Sequence, residues 1–452
     1  MEELGTRIRK QADFISELTF GQLRSESVRA AKRIVLDTLG CMAAGSCMQK
    51  PKTNGDALPA GSHTIVGLNR SYGKEWAVFV NGFNVVATEM DEGNGFAKGH
   101  PAAHFMPALL AESETGVFSG QTFLTAVTAA YEVTVRWGSA VTLRSSIHPH
   151  GNWGIVGAAA AAAKLRGAPA DRIKEAMLLS LSLPIPSAWA SAFTGSNVRH
   201  AYVGVSNLLG MMGLDMAGWG AESNEAVLAS VYRDILGTGL AAEFLDQELG
   251  RRYYIEQNYM KIYACCRYVH GAVDGLLKLV QKGLHPEQID SVTVETYKAA
   301  SLLAEPNPAN ELAAKFSIPF SLAMLLCRGS VGPELYRPGV TEEEDLLLMA
   351  SRIEIREDAA LTAQLPHRRP TRITVALKNG EVLVEEVGSA TGEFDSPLSE
   401  GQLEDKFHAL TETVWGAERR RSIIQTVWGL ERLDDMSKLT GLLPGGIRGG
   451  NA

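Results

Sequence analysis

Near Tyr259 the spacing of apolar residues in this chain changes, and that change limits the folds open to it. Before that point apolar residues recur at helical spacing. Within Phe14–Leu39 the stretch Ser25–Leu39 is clearest, with Val28, Ala31, Ile34, Val35 and Leu39 on one face. Phe105–Glu114, Thr122–Val141, Gly154–Leu165, Asp171–Ser182 and Val203–Met216 continue the pattern. Gly157–Lys164 is alanine-rich, and its small side chains let helices pack closely. Short glycine-containing connections between such segments predict an all-α core. After Tyr259, Ile289–Tyr297 alternates as a strand and Arg352–Arg356 reads as a second short one. Arg372–Leu377 and Glu381–Val387 flank Asn379-Gly380, the signature of a hairpin turn. Helical stretches Val269–Gln281, Phe316–Cys327 and Thr341–Ser351 interrupt these strands, and Ser399–Leu410 and Glu418–Leu430 return to helical spacing. The predicted fold is mainly α with an inserted α+β domain: residues 1–258 and 398–452 form a large all-helical domain, and 259–397 a smaller domain with a small β-sheet. The glycine-rich tail from Gly441 is expected to be mobile.

Composition narrows the function. A length of 452 residues, 45% hydrophobic and 21% charged, fits a globular chain of two or three domains. A formal net charge of −8, with only short basic runs such as Arg419–Arg421, argues against a nucleic-acid partner. The charged N-terminus lacks the apolar core of a signal peptide, and no run of about 18 apolar residues offers a membrane span. Five sparse cysteines without a CxxC pair predict a reduced, cytoplasmic protein.

Four segments gather residues capable of chemistry. Glu89–His104 packs Glu89, Asp91, Glu92, Lys98, His100 and His104 into a glycine-containing loop between apolar stretches. The bland reading is a solvated linker with an ordinary charge cluster. Ile147–Gly154 places His148 and His150 just before the alanine-rich helix, whose start offers N–H groups to a carboxylate. Its bland reading is a pair of capping histidines. Thr194–Gly204 carries Arg199, suited to a bidentate carboxylate clamp or an ordinary ion pair, and Tyr202. Lys261–His270 lies at the predicted domain junction, a favoured place for a binding cleft. There Lys261 is a candidate cation, or a base if desolvation lowers its pKa. Cys265 and Cys266 more often pack as small core residues than act as nucleophiles.

Taken together these motifs resemble the MmgE/PrpD family. The resemblance rests on the acidic cluster followed by Gly99-His100-Pro101, the His148-Pro149 loop, and Thr194-Gly195-Ser196 with a basic residue after it. Lys261-x-Tyr263-x-Cys265-Cys266 with His270, Ala313–Pro319, Arg369-Pro370 and Leu403–Phe407 follow in the same order. It runs from about residue 10 to 435. It implies a homodimer of two-domain subunits, the smaller α+β domain acting as a lid, and no cofactor. The implied chemistry makes or breaks a bond beside a carboxylate of a small di- or tricarboxylate, by a lyase (dehydratase or decarboxylase) or an isomerase (epimerase). Carried over residue by residue, His100, His148, Asp91 and Lys261 are the expected catalytic positions. Arg199, Glu89, His150, Tyr202, Cys266 and His270 are the expected substrate-binding ones. The chain departs from the family pattern where Glu89 and Glu92 stand for aspartates and His150 for a threonine. Arg199 stands for a lysine, and Tyr202 for a histidine or asparagine. An arginine stays protonated, so Arg199 binds rather than transfers protons. The cysteine pair and His270 look more like the epimerase branch.

Two other readings compete. His100, His104, His148, His150 and Asp91 could serve a metal-dependent hydrolase or lyase, although Pro101 weakens the His100/His104 spacing. The other is a non-catalytic member that keeps only the fold.

Overall fold

A computed structural model of the protein describes residues 2–48 and 58–445. Its internal contacts divide the chain into two compact units. The first takes the described parts of Met1–Ala188, Arg199–Asn258 and Ser399–Ala452; the second takes Trp189–Val198 and Tyr259–Leu398.

The first unit is mostly helical. Glu2–Glu17, Ser25–Met48, Lys74–Val85, Met106–Ser113, Gly120–Ala140, Ile155–Leu165 and Ala170–Leu181 precede Val198–Gly218, and Glu400–Thr411, Ala417–Trp428 and the short Ser437–Thr440 follow the second unit in sequence. Gly120–Ala140 begins where the Ser119 hydroxyl accepts the Thr122 N–H at 3.2 Å, satisfying a donor left over by the helix. It lies against Ile155–Leu165, whose alanines from Ala158 to Ala163 are all buried. Small side chains there let the two backbones approach, and Trp137, Trp153, Phe105 and Tyr131 fill the surrounding core.

Glu400–Thr411 opens with a capping box in which Ser399 Oγ accepts from Gln402 N at 3.1 Å and Gln402 Oε1 accepts from Ser399 N at 2.8 Å. It packs on Ser25–Met48, and the buried Lys406 ammonium bonds the buried Asp37 carboxylate. Segments more than 360 residues apart in sequence are joined this way.

Two expectations need correction. The first unit is not wholly helical: Ala60–Thr64 pairs with Ser71–Tyr72, and Val141–Leu143 with Gly237–Leu240. These strands are too short to show an alternating pattern. Nor is the start of the tail loose. Leu443 is buried, Trp415 Nε1 and Arg419 Nη1 donate to the Pro444 carbonyl at 2.9 and 2.8 Å, and Gly445 N donates to the Leu68 carbonyl at 2.9 Å. Hydrogen bonds to main-chain carbonyls and the buried Leu443 dock this segment. The rest of that tail, from residue 446, lies outside the described residues.

The second unit is built on a four-stranded sheet in the order Val382–Val387, Thr371–Leu377, Ile289–Thr296, Ile353–Glu357. Ile289–Thr296 pairs in parallel with Ile353–Glu357 and antiparallel with Thr371–Leu377. Thr371–Leu377 alternates buried and half-buried residues, with one face covered by the helix His270–Gln281. Gly275 on that helix permits the contact, since a Cβ there would lie 2.7 Å from Ile373 Cδ1. Trp189–Val198 joins this unit through Asn310 Nδ2, which donates to the Thr194 carbonyl at 3.0 Å. Among the described residues no helix is long and apolar enough to cross a membrane.

Candidate active site

The loop after Lys74–Val85 is fixed from several sides. Asn94 exchanges main-chain bonds with Gly99, accepts from Phe96 N at 2.9 Å, and donates to the Tyr254 carbonyl at 3.1 Å. Lys406 donates to the Met90 carbonyl at 2.6 Å, and Asp37 Oδ2 accepts from Glu92 N at 2.9 Å. The Glu92 carboxyl reaches forward, accepting from Ala102 N at 2.7 Å and from the Tyr131 hydroxyl at 3.0 Å. Burial, reinforced by the Asp37 and Asp91 carboxylates, pushes Glu92 up to about 8, against the pull of its hydrogen bonds.

That frame orients His100. Its Nδ1 lies 2.7 Å from the Glu92 carbonyl oxygen and 2.9 Å from Asp91 Oδ2. Both neighbours are acceptors, so the ring proton sits on Nδ1 and Nε2 carries the lone pair. Asp91 is buried beside that ring.

The second loop and the helix Val198–Gly218 meet the first loop at Arg199. This buried guanidinium donates through Nη1 to Glu89 and through Nη2 to His150 Nε2 at 3.0 Å, and its Nε lies 3.3 Å from His148 Nε2. Glu89 reaches it from a left-handed backbone, φ +59°, which costs a non-glycine residue about 1–2 kcal/mol. His150 Nδ1 lies 3.1 Å from His104 Nε2, and His104 Nδ1 3.1 Å from Ser206 Oγ. The His100 ring is 5.4 Å from that of His150, which brings the Asp91–His100 pair and the Arg199 cluster into one site.

Two glycines make the packing possible. Gly151 adopts φ +89°, and a Cβ at Gly154 would lie 2.5 Å from His104 Cγ.

The three buried histidines are held neutral. Burial first and then neighbouring positive charge, Arg199 included, push His148 and His150 well below the usual range and His104 down to about 3. His148 also has N–H donors facing both ring nitrogens: Arg199 Nε, and the His150 main chain at 3.1 Å from Nδ1. The single proton of the neutral ring therefore already faces one of these donors, and only one of the two contacts is a hydrogen bond.

The expected residues Lys261, Cys266 and His270 belong to the second unit and are buried there. His270 Nδ1 lies 3.1 Å from Arg267 Nη1, and Cys266 N donates to the Lys315 carbonyl at 2.8 Å. Arg267 Nε donates to Glu393 at 3.0 Å and Arg369 Nη1 at 3.4 Å, and both guanidinium groups stack on Tyr259. Burial raises Glu393, but the two arginines outweigh it and hold the carboxyl below the usual range.

Within the first unit the structure thus brings together Glu89, Asp91, His100, His148, His150 and Arg199. Tyr202 is half-buried one turn beyond Arg199, its Cβ 3.3 Å from where a Gly151 Cβ would be. Sequence reasoning gave His104 a minor place and missed Ser206, Tyr131, Asp37 and Lys406. Only Lys406, within the quoted Leu403–Phe407 motif, carried a signal. Among the described residues no group of three or more His, Cys, Asp or Glu side chains is arranged to hold a metal ion.

Comparison with known proteins fits this architecture. The family models for the MmgE/PrpD N-terminal and C-terminal domains match residues 9–233 and 263–430. The chain belongs to the MmgE/PrpD family. Within it, the chain is 25% identical over 471 aligned positions to the cis-aconitate decarboxylase-like protein oryM of Aspergillus oryzae, covering 96% of each chain. It is 25% identical to a cis-aconitate decarboxylase of Aspergillus terreus (95% of this chain, 94% of that one). To the human cis-aconitate decarboxylase it is 26% identical (96% and 94%). MmgE/PrpD membership thus spans both units, with relatives named for lyase chemistry.

Proposed function

We propose that this protein is a cofactor-independent lyase acting on a small di- or tricarboxylate by proton transfer beside a carboxylate, with decarboxylation of a cis-aconitate-like acid the first activity to test. The observation that carries the reading is the pairing of a proton-transfer group with a fixed cation. His100, its tautomer set by Asp91 and the Glu92 carbonyl, stands one ring away from the buried Arg199. The family and the names of the relatives support a carboxylate substrate.

In this scheme Arg199 binds a substrate carboxylate and opposes the charge that develops beside it. The leaving carboxylate departs as CO₂ and its bonding electron pair stays on the adjacent carbon. Protonated His100 gives its Nε2 proton to that carbon, and the neutral ring regains a proton from solvent. Asp91 stabilises the imidazolium, while His148 serves as a neutral partner of Arg199. Dehydration or epimerisation would instead begin with Nε2 removing a proton beside the carboxylate.

The test is an NMR assay in deuterated water with cis-aconitate, citrate, 2-methylcitrate and iminodisuccinate. Solvent deuterium entering one of them, or loss of CO₂, supports the proposal and identifies the branch. No exchange and no turnover with any of the acids would leave a non-catalytic member as the better reading. His100→Ala should abolish turnover while circular dichroism stays unchanged; wild-type activity in that variant removes His100 from the mechanism. Lys261→Met tests the second unit's share in the reaction.

A further inference from the structure

The hydrogen-bond chain behind Arg199 has only one consistent direction. An arginine can only donate, so His150 Nε2, 3.0 Å from Arg199 Nη2, must accept and carry the lone pair. The proton of neutral His150 therefore sits on Nδ1, which faces His104 Nε2 at 3.1 Å. His104 Nε2 accepts it, leaving the His104 proton on Nδ1, which donates to Ser206 Oγ at 3.1 Å. Reversing any link would point an N–H of His150 at an N–H of Arg199. A second proton on either histidine would do the same within the chain. All four side chains are buried, so such a clash has no water to relieve it. The Gly154 backbone lies against one side of the His104 ring.

We propose that His150 and His104 are positioning residues: with Ser206 they form a one-way chain that holds the Arg199 guanidinium as a fixed carboxylate clamp and takes no part in proton transfer. The chain ends at a group that cannot give up its proton, so it cannot work as a relay. Its effect is on the orientation of the fork, whose Nη1 is held by Glu89 and whose Nη2 by His150. The carboxylate part of this inference rests on the function proposed above; the direction of the chain does not.

Two measurements test it separately. In full-length protein labelled with ¹⁵N-histidine, long-range ¹H–¹⁵N spectra should show both rings neutral and protonated on Nδ1 between about pH 6 and 9. Signals are assigned through His104→Gln and His150→Gln. An Nε2–H tautomer or an imidazolium at either position overturns the chain. In kinetics with the acid that exchanges, His104→Leu strands the buried His150 N–H and should raise KM about ten-fold with a smaller change in kcat. His104→Gln keeps an acceptor towards His150 and should restore KM to near the wild-type value. An unchanged KM in His104→Leu, or no rescue by glutamine in a folded variant, refutes the positioning role. Absence of turnover in the wild-type protein refutes the proposed function instead, and the spectra still decide the chain.

Discussion

Glu92→Gln isolates the cost of keeping a carboxyl in the wall of this site. The Glu92 side chain is buried, and its pKa rises from an ordinary 4.5 to about 8. Between those values the unfolded chain has lost the proton that the folded chain still holds, so folding stability falls as pH rises. The slope approaches ~1.4 kcal/mol per pH unit, and the whole window is worth about 5 kcal/mol. That stability is fully present below about pH 4.5 and gone above about pH 8. Glutamine keeps the shape: its carbonyl can accept from Ala102 N and its amide can face the Tyr131 hydroxyl, the partners of the native carboxyl. It has no proton to lose.

Chemical denaturation of both proteins at several pH values should therefore give curves that diverge. Relative to the wild type, the variant gains several kcal/mol between about pH 5 and 9. Burial also pushes Glu132 up to about 7 and raises Asp37 even beside Lys406; both proteins carry those groups, so the difference reports Glu92 together with its coupling to the Asp37 and Asp91 carboxylates. Parallel curves would mean that Glu92 is already ionised at the acidic end, and the burial argument would fail.

Lys406→Met leaves the Asp37 carboxylate buried without its cation and should cost about 3–5 kcal/mol in denaturation midpoint analysis; Asp37→Asn added to it should recover much of the loss. A loss below the noise would show that water reaches Asp37. Gly154→Ala drives a methyl to 2.5 Å from the His104 ring and should destabilise by about 1–3 kcal/mol while disturbing the His104 tautomer signal. Arg199→Lys keeps the charge but not the fork, and KM for the turned-over acid should rise by about ten-fold or more. An unchanged KM would place the carboxylate elsewhere.

The sheet was legible because its strands alternate or flank a recognisable turn. Ile289–Thr296 and the pair across Asn379-Gly380 stand within a residue or two of where alternation puts them. The main helices were legible for the same reason. Strands of two to five residues, such as Ser71–Tyr72 and Ala60–Thr64, carry too few positions for any period. The docked start of the tail and the assignment of Trp189–Val198 to the second unit depend on hydrogen bonds to main-chain carbonyls, which apolar spacing does not record. In the site, clustering of His and acidic residues singled out the loops that carry Asp91, His100 and His148, and the family resemblance supplied their expected roles and that of Arg199. Ser206 and Tyr131 sit inside helices and look like ordinary helix residues. Their importance comes from which atom faces which, and only coordinates supply that.

The departures read in the sequence at Glu89, His150 and Arg199 are adjacent in space. A lysine presents one ammonium, whereas an arginine presents a planar fork whose N–H groups all need acceptors when buried. Here Glu89 takes one arm, His150 the other, and His148 faces the nitrogen of the stem. A shorter acid at position 89 or a hydroxyl at position 150 would change the reach or the direction of those acceptors. Glu89 even holds a left-handed backbone to make its contact. The three residues therefore act as one unit: Glu89 and His150 hold the guanidinium as a fixed, oriented cation that cannot enter proton transfer. In the scheme proposed above that task falls to His100, whose tautomer Asp91 and the Glu92 carbonyl set.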